Sequence, residues 1–311
     1  MALLLADTPG ALEGVEHFTR RMSGAEVNVA IGLTRLGFPV EYLTRLGDDP
    51  FGHYIEQALK DNGIGTNLLT YDPVYRTGIQ LKEYVKDGHD PAAPYYRKGS
   101  AASHLSIREI DALDLGEIGL VHVTGIPPAL SKEAREATYR LMERARKAQI
   151  PVTFDPNLRP ALWENDEMMR KVLNDLANYA DVVLPGIGEC EILAGTTDKE
   201  KAADFYHQKG AALVVIKDGK NGAYVSEKKE NGEITRDMIP GYPVKKVVDT
   251  VGAGDGFAVG VLSGLLKGLP VSECAKRGNA IGSIQVQHRG DNEGLPTEEI
   301  LQTYMLGNIQ K

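Results

Sequence analysis

The sequence predicts an α/β fold with a mostly parallel sheet. Short runs of β-branched and aliphatic residues alternate with longer amphipathic stretches, a spacing typical of βαβ units. The expected strands are 121–125, 152–155, 181–184 and 213–217, and helical patterns such as 131–147 and 168–178 lie between them. Each strand ends in or is followed by Gly, Pro, Asp or Asn. Open α/β sheets bind ligands at this edge, so polar residues there are candidates for function.

Composition limits the classes of function. The chain has 311 residues, of which 42% are hydrophobic and 25% are charged, and its net charge is −8. These values are typical of a soluble globular protein, and the length allows one large α/β domain or two small ones. No apolar run approaches the roughly 20 residues that span a bilayer, and no basic stripe indicates nucleic-acid binding. Cys190 and Cys274 lack a CxxC partner, so neither a zinc site nor a disulfide framework is indicated. With no export signal, we expect a cytoplasmic protein.

A β-hairpin is expected before the first of these strands. Apolar and polar residues alternate from 78 to 85, and a second β-rich stretch follows at 95–99 after a region rich in Pro, Asp and Gly. This arrangement indicates two antiparallel strands and not a crossover connection.

The most informative segment is 248–257, which reads Val-Asp-Thr-Val-Gly-Ala-Gly-Asp-Gly-Phe. An apolar run at 244–248 precedes it and an apolar helical face follows, which predicts a strand, a glycine turn and a helix. Backbone N–H groups of Gly252, Ala253 and Gly254 would converge at the helix N-terminus, where anions bind. Asp255 could take a proton from a hydroxyl group. An anion hole beside a base is what phosphoryl transfer to an alcohol needs.

Two simpler interpretations of this segment compete with that one. Many helices follow a glycine turn and carry an Asp near the start. A dinucleotide-binding fingerprint fits less well, because Phe257 stands where its third small residue is required.

Two motifs resemble those of the ribokinase-like (PfkB-type) sugar kinases. The late signature of that family is matched by Asp249, Thr250, Gly252, Ala253, Gly254 and Asp255. The early signature is matched by a glycine before an Asn-x-Ala helix that closes with Leu-Gly, which here comprises Gly24, Asn28 and Leu36-Gly37. The resemblance implies a single domain over residues 1–311 with a three-layer ribokinase-like fold and, within it, a small β-sheet lid roughly from 5–22 and 76–100. It also implies that Gly24 lets substrate approach the backbone and that Asn28 binds sugar hydroxyls.

The resemblance further implies ATP and Mg²⁺ as cofactors, and it leaves open a monovalent cation. The nucleotide-binding residues that it implies are Lys217, Gly219, Gly222, Thr250, Gly252, Gly254 and Asn279. Glu189 would lie near the magnesium ion and contact it at most indirectly, whereas Gly186 stands where many relatives carry Asn. The turn at 217–222 is equally typical of a hairpin, and Glu189 of a helix N-terminus. No P-loop motif occurs.

The stretch 95–103, Tyr-Tyr-Arg-Lys-Gly-Ser-Ala-Ala-Ser, indicates the substrate. It resembles the Tyr-Tyr-Arg-x-Gly-Ser-Ala of 2-keto-3-deoxygluconate kinases. A guanidinium group binds a carboxylate through a planar fork, so Arg97 with Tyr95, and Arg159 at another strand end, would hold a sugar acid. An exposed lid strand would also account for Tyr and Arg here.

The resemblance therefore implies ATP-dependent phosphorylation of 2-keto-3-deoxygluconate at its terminal hydroxyl, with Asp255 as general base. Two alternatives stay open: a kinase for another sugar, such as fructose or ribose, and a non-catalytic relative. The expected partners are the sugar acid and ATP, with no nucleic acid and no membrane. An exposed lid edge would favour a homo-oligomer.

The N-terminus departs from the family. Relatives usually begin with a buried strand that ends in Gly-Glu, whereas this chain begins Met-Ala-Leu-Leu-Leu. We therefore expect the first core strand to be missing.

Overall fold

The computed structural model describes residues 1–85 and 92–309. The strands are β1 (Ala2–Ala6), β2 (Phe18–Met22), β3 (Thr44–Gly47), β4 (Leu69–Asp72), β5 (Ile79–Lys82), β6 (Tyr95–Tyr96), β7 (Val121–Thr124), β8 (Val152–Asp155), β9 (Val182–Val183), β10 (Leu213–Lys217), β11 (Ala223–Lys228) and β12 (Ile234–Ile239). The helices are α1 (Ala25–Arg35), α2 (Pro50–Asp61), α3 (Ile107–Asp111), α4 (Pro127–Leu130), α5 (Lys132–Lys147), α6 (Asp166–Leu176), α7 (Ile187–Ala194), α8 (Lys199–Gln208), α9 (Ala253–Leu266), α10 (Val271–Gln285) and α11 (Glu298–Ile309). Among these, none is long and apolar enough to cross a membrane.

The largest sheet has six strands in the order β12-β11-β10-β9-β8-β7. Strands β7 to β10 run parallel, and β11 and β12 add an antiparallel edge. The four runs predicted as parallel strands are thus confirmed, although β9 is only two residues long. Because these strands are parallel, their carboxyl ends meet at one edge, where Asp155 and Lys217 are the last residues of β8 and β10.

Helices cover both faces of this sheet. Alternate strand residues point to opposite faces: Val183 and Val214 pack with α5 to α8, and Val182 and Val215 pack with α1, α2, α9, α10 and α11. Each fully buried aliphatic side chain in these layers contributes about 1.5–3 kcal/mol. The predicted three-layer α/β architecture is confirmed.

A separate four-stranded sheet has the order β2-β1-β5-β6. Strand β1 pairs antiparallel with β2 and parallel with β5, and β5 pairs antiparallel with β6. The expected hairpin of β5 and β6 is therefore present, and its connection at 86–91 lies outside the described residues. This sheet, hereafter the lid sheet, begins at Ala2, three residues before the expected boundary.

Strands β3 and β4 form a third, two-stranded parallel sheet. The N-terminal strand Ala2–Ala6 belongs to the lid sheet and not to the six-stranded sheet. The absence of the family's first core strand stays a prediction.

The prediction of a strand before the glycine turn was wrong. No strand is assigned between β12 and α9 in the described chain, and Val247 and Val248 are 57% and 51% exposed. The N–H of Val248 donates to the carbonyl oxygen of Val286 at 2.7 Å, so this segment bonds to the end of α10 and not to a neighbouring strand. A short apolar run without a strand partner does not form a sheet, whatever its β propensity.

Candidate active site

The N-terminus of α9 contains two glycines that differ in how much space surrounds them. Gly252 has φ +77°, and a Cβ atom there would lie 2.0 Å from the carbonyl oxygen of Asp291. Gly254 is exposed, and the nearest atom to its added Cβ would be Nζ of Lys217, at 3.8 Å. The first N–H groups of a helix have no helical partner, so the backbone at Gly254 presents free donors beside a lysine. The N–H of Ala253 is different, because it already donates to Thr250 O at 3.3 Å.

Asp255 lies in the first turn of α9 and is buried. Its Oδ2 accepts a hydrogen bond from Nδ2 of Asn28 at 2.7 Å, and its Oδ1 accepts one from Nδ2 of Asn157 at 3.4 Å. Burial raises the pKa of Asp255, and the hydrogen bond from Asn28 and the charge of Lys217 oppose that rise. The result is an oriented carboxylate with increased basicity beside the start of a helix.

The half-buried Lys217 and the buried Asp155 form an ion pair next to Asp255. The distance between Nζ of Lys217 and Oδ2 of Asp155 is 2.7 Å. Burial raises the pKa of Asp155 to about 7, with Lys217 lowering it and Glu189 raising it. Burial alone would lower the pKa of Lys217, but the carboxylates of Asp155 and Glu189 outweigh that effect and raise it. Lys217 therefore stays charged. The sequence interpretation missed Asp155, although its position at a strand end was the available signal.

The carboxylate of Glu189 accepts hydrogen bonds from two backbone N–H groups. Its Oε1 accepts from the N–H of Leu158 at 2.8 Å, and its Oε2 accepts from the N–H of Gly186 at 2.6 Å, which caps α7. Among residues 1–85 and 92–309, no cluster of His, Cys, Asp and Glu side chains could hold a metal ion. Both carboxylate oxygens of Glu189 are thus engaged by backbone N–H groups.

Cations gather on the side of the site toward the lid sheet. Burial lowers the pKa of Arg97, and the charge of Glu26 opposes this. Nε of Arg97 is buried and has no hydrogen-bond partner in the described structure. The Arg97 guanidinium lies 5.9 Å from the ring centre of Tyr95. Arg159 is exposed, and its charge is near enough to influence the pKa values of both Arg97 and Asp255. The structure therefore brings these predicted residues to one region.

The start of α1 faces the same region. Gly24 precedes the helix with φ +150°, a conformation that favours glycine. Oε1 of Glu26 accepts a hydrogen bond from Oγ1 of Thr124 at the end of β7. Glu26 was missed from the sequence, where it is one polar residue in a helical pattern. Both polar atoms of the Asn28 side-chain amide are engaged, because Nδ2 donates to Asp255 and Oδ1 accepts from Nδ2 of Asn292 at 3.0 Å.

The remaining predicted nucleotide-binding residues differ in position. Gly219 and Gly222 form a tight turn after β10, and a Cβ at Gly222 would lie 2.0 Å from Ile239 O. Thr250 is exposed in the loop before α9. Asn279 is buried, and its Nδ2 donates to the carbonyl oxygens of Ile239 and Pro240 at 3.1 Å. Its amide donor is thus used to hold the end of β12.

Known carbohydrate kinases are similar to this chain over nearly its whole length. Residues 4–298 match the pfkB family of carbohydrate kinases. The chain is 46% identical to 2-dehydro-3-deoxygluconokinase of Bacillus subtilis over 306 residues, which cover 98% of this chain and 93% of that protein. The crystal structure of a PfkB protein from Polaromonas sp. JS666 is 46% identical with a TM-score of 0.87, covering 97% of this chain and 96% of that one.

A more distant structure shares the fold. The fructokinase of Vibrio cholerae O395, solved with fructose, ADP and a calcium ion, is 26% identical with a TM-score of 0.84 and covers 98% of this chain and 96% of that one. The family resemblance drawn from the two sequence motifs is confirmed, and the chain belongs to the pfkB family of carbohydrate kinases.

Proposed function

We propose that this protein phosphorylates 2-keto-3-deoxygluconate at its terminal hydroxyl, with ATP as phosphoryl donor, to give 2-keto-3-deoxy-6-phosphogluconate. The observation that carries the proposal is the buried carboxylate of Asp255, which is oriented by Asn28 and Asn157 at the open N-terminus of α9. The activity named for the Bacillus subtilis relative, at 46% identity, supports the choice of sugar.

The proposed reaction divides the work among these residues. Asp255 takes the proton of the attacking hydroxyl as the new oxygen–phosphorus bond forms and the bond from the γ-phosphorus to the bridging oxygen breaks, releasing ADP. Backbone amides at Gly252 and Gly254 and the ammonium of Lys217 stabilise the transferring phosphoryl group. The raised pKa of Asp255 suits a base that must hold a proton during the step.

Mg²⁺ enters this scheme with ATP as part of the substrate, and it neutralises phosphate charge. Among the described residues no cluster of side chains could hold it directly, and Glu189 and Asp155 already bond to two backbone amides and to Lys217. Any contact from Glu189 would pass through water. A monovalent cation remains a proposed further cofactor, which turnover in potassium compared with choline salts would test.

A sugar acid suits the cations near the lid sheet. The unpartnered Nε of Arg97, with Arg159 and Tyr95 nearby, offers donors to a carboxylate that a neutral sugar lacks. The alternative is a kinase for another sugar, such as the fructose bound in the Vibrio cholerae structure.

We further propose that the exposed β6 edge of the lid sheet, with Tyr96, pairs two copies of the chain, which analytical ultracentrifugation would test.

The decisive experiment measures ADP release with a panel of 2-keto-3-deoxygluconate, fructose and ribose. We expect the highest kcat/KM for the sugar acid. Asp255→Asn should lower kcat by about 10²–10⁴ while ATP still binds. Asp61→Asn, at an exposed carboxylate that ends α2, is the matched control and should behave as wild type.

Other results would revise the proposal. A higher kcat/KM for fructose or ribose would show that the neutral sugar, and not the sugar acid, is the substrate. An Asp255→Asn variant within a few-fold of wild type would remove the general base. ATP binding without turnover of any sugar in the panel would favour a non-catalytic relative.

A further inference from the structure

A buried charge cluster joins the lid sheet to the loop that precedes α9. Lys82, the last residue of β5, is only 6% exposed. Its Nζ lies 3.1 Å from Oδ1 of Asp291 and 3.3 Å from Oδ2 of Asp249. The roles proposed above use none of these three side chains.

Asp249 holds the glycine loop from within. Its Oδ1 accepts from the N–H of Val251 at 3.0 Å, and its Oδ2 accepts from the N–H of Gly290 at 3.3 Å. The first of these bonds fixes the residue directly before Gly252. The orientation of Asp249 therefore bears on where the amides at the start of α9 point.

Asp291 contacts two parts of the candidate site. Its carbonyl oxygen packs where a Cβ of Gly252 would lie, at 2.0 Å. Its Oδ2 accepts from Oγ of Ser23 at 2.5 Å, next to Gly24 at the start of α1. Lys82 thus binds two carboxylates, one beside the proposed anion hole and one beside the glycine expected to meet the sugar.

The chemistry of the cluster indicates more than stabilisation. Buried ion pairs seldom stabilise a fold better than well-packed apolar residues would, because both charges lose their hydration. A lysine here instead makes the position of the lid strand depend on two carboxylates that lie beside the proposed phosphoryl-transfer site. We infer that Lys82 is a positioning residue: its ammonium, seated between Asp249 and Asp291, aligns the glycine loop with the lid strand for phosphoryl transfer. This inference rests on the proposed function.

The test compares Lys82→Met, which keeps most of the length of the side chain and removes the charge, with Lys82→Arg, which keeps the charge. The control is Lys60→Met, at a more exposed lysine paired with Glu56 on α2. Activity is expressed per ATP-binding site from titration, so that loss of folded protein does not count as loss of kcat. Since small misplacements in an active site can cost about 100-fold, we expect Lys82→Met to lower kcat about ten- to a hundred-fold. ATP affinity should stay within about threefold, a change of under 1 kcal/mol.

The kcat of Lys82→Arg should be at least about tenfold higher than that of Lys82→Met. The kcat of Lys60→Met should match wild type. If Lys82→Met does not fold, the double variant Lys82→Met/Asp291→Asn, which removes one of the two unpaired carboxylates, takes its place with the same expectation. Wild-type kcat per site for Lys82→Met or for the double variant would overturn the inference, as would equal losses of kcat and ATP affinity. Wild-type turnover in the same assay tests the proposed function separately, because the inference concerns only the ratio of variant to wild type.

Discussion

Alanine at Gly254 should abolish most catalysis and spare the fold, whereas alanine at Gly252 should damage the fold itself. The two residues are neighbours in one motif, but the structure separates them. An added Cβ at Gly254 meets only Nζ of Lys217, at an ordinary 3.8 Å, whereas one at Gly252 meets a backbone oxygen of Asp291 at 2.0 Å. Glycine at 254 is therefore not required by packing. We expect glycine to be needed there because the phosphoryl group approaches this turn.

The magnitudes follow from these contacts. Alanine at 254 replaces a helical glycine, and this change stabilises a helix by up to about 1 kcal/mol. The melting temperature would rise by about 1–4 °C for a chain of this size. The added methyl group would hold the transferring phosphoryl group away from the backbone amide, and losing one oxyanion-type donor costs about 10²–10³ in kcat. Alanine at 252 adopts a left-handed conformation at φ +77° and displaces a carbonyl group, which together cost roughly 2–5 kcal/mol.

The assay pairs thermal melting of the protein without ligands with kcat and ATP affinity. Gly307→Ala, in α11 where an added Cβ meets nothing within 4 Å, is the matched control for a helical glycine, and its kcat should not change. A Gly254→Ala variant with kcat within threefold of wild type would refute the anion-hole assignment. A fall in its melting temperature as large as that of Gly252→Ala would refute the packing argument.

Three further changes test other parts of the molecule. Arg97→Ala should lower kcat/KM for 2-keto-3-deoxygluconate by about ten- to a hundred-fold and affect fructose much less, so an unchanged ratio would make Arg97 structural. Asn28→Ala removes a hydrogen bond that lowers the pKa of Asp255, so the acid limb of kcat/KM against pH should move to higher pH, and an unmoved limb would contradict the base assignment. Hydrogen bonds from the buried Arg277 lower the pKa of Glu298 from 4.5 to about 2, so the ionised carboxylate stabilises the fold above pH 4.5 and that stability is lost as pH falls toward 2. The melting-temperature deficit of Glu298→Gln should therefore be largest near pH 7 and shrink below pH 4.5, and a deficit independent of pH would show that the charge does not matter.

Short-range patterns in the sequence were sufficient for the architecture and for the family. The alternation of strand and helix patterns is a property of neighbouring residues, and it predicted four parallel strands that the structure contains. The hairpin of β5 and β6 and the helix that begins at Ala253 were predicted for the same reason. The order of the two motifs, with Gly24 and Asn28 early and Asp255 late, was enough to indicate the family that the comparisons confirm.

Only the tertiary structure decided which polar groups meet. Asn28 bonds to Asp255 across 227 positions of sequence, and Lys217 pairs with Asp155 across 62. No periodicity or spacing reports such contacts, because they depend on which strand ends and helix starts the fold brings together. The same limit explains the strand wrongly expected at 244–248, since a strand needs a partner that its own sequence does not specify. Lys82 is the clearest case: on its own strand it is one polar residue in an alternating pattern, and only the folded chain encloses its charge between Asp249 and Asp291.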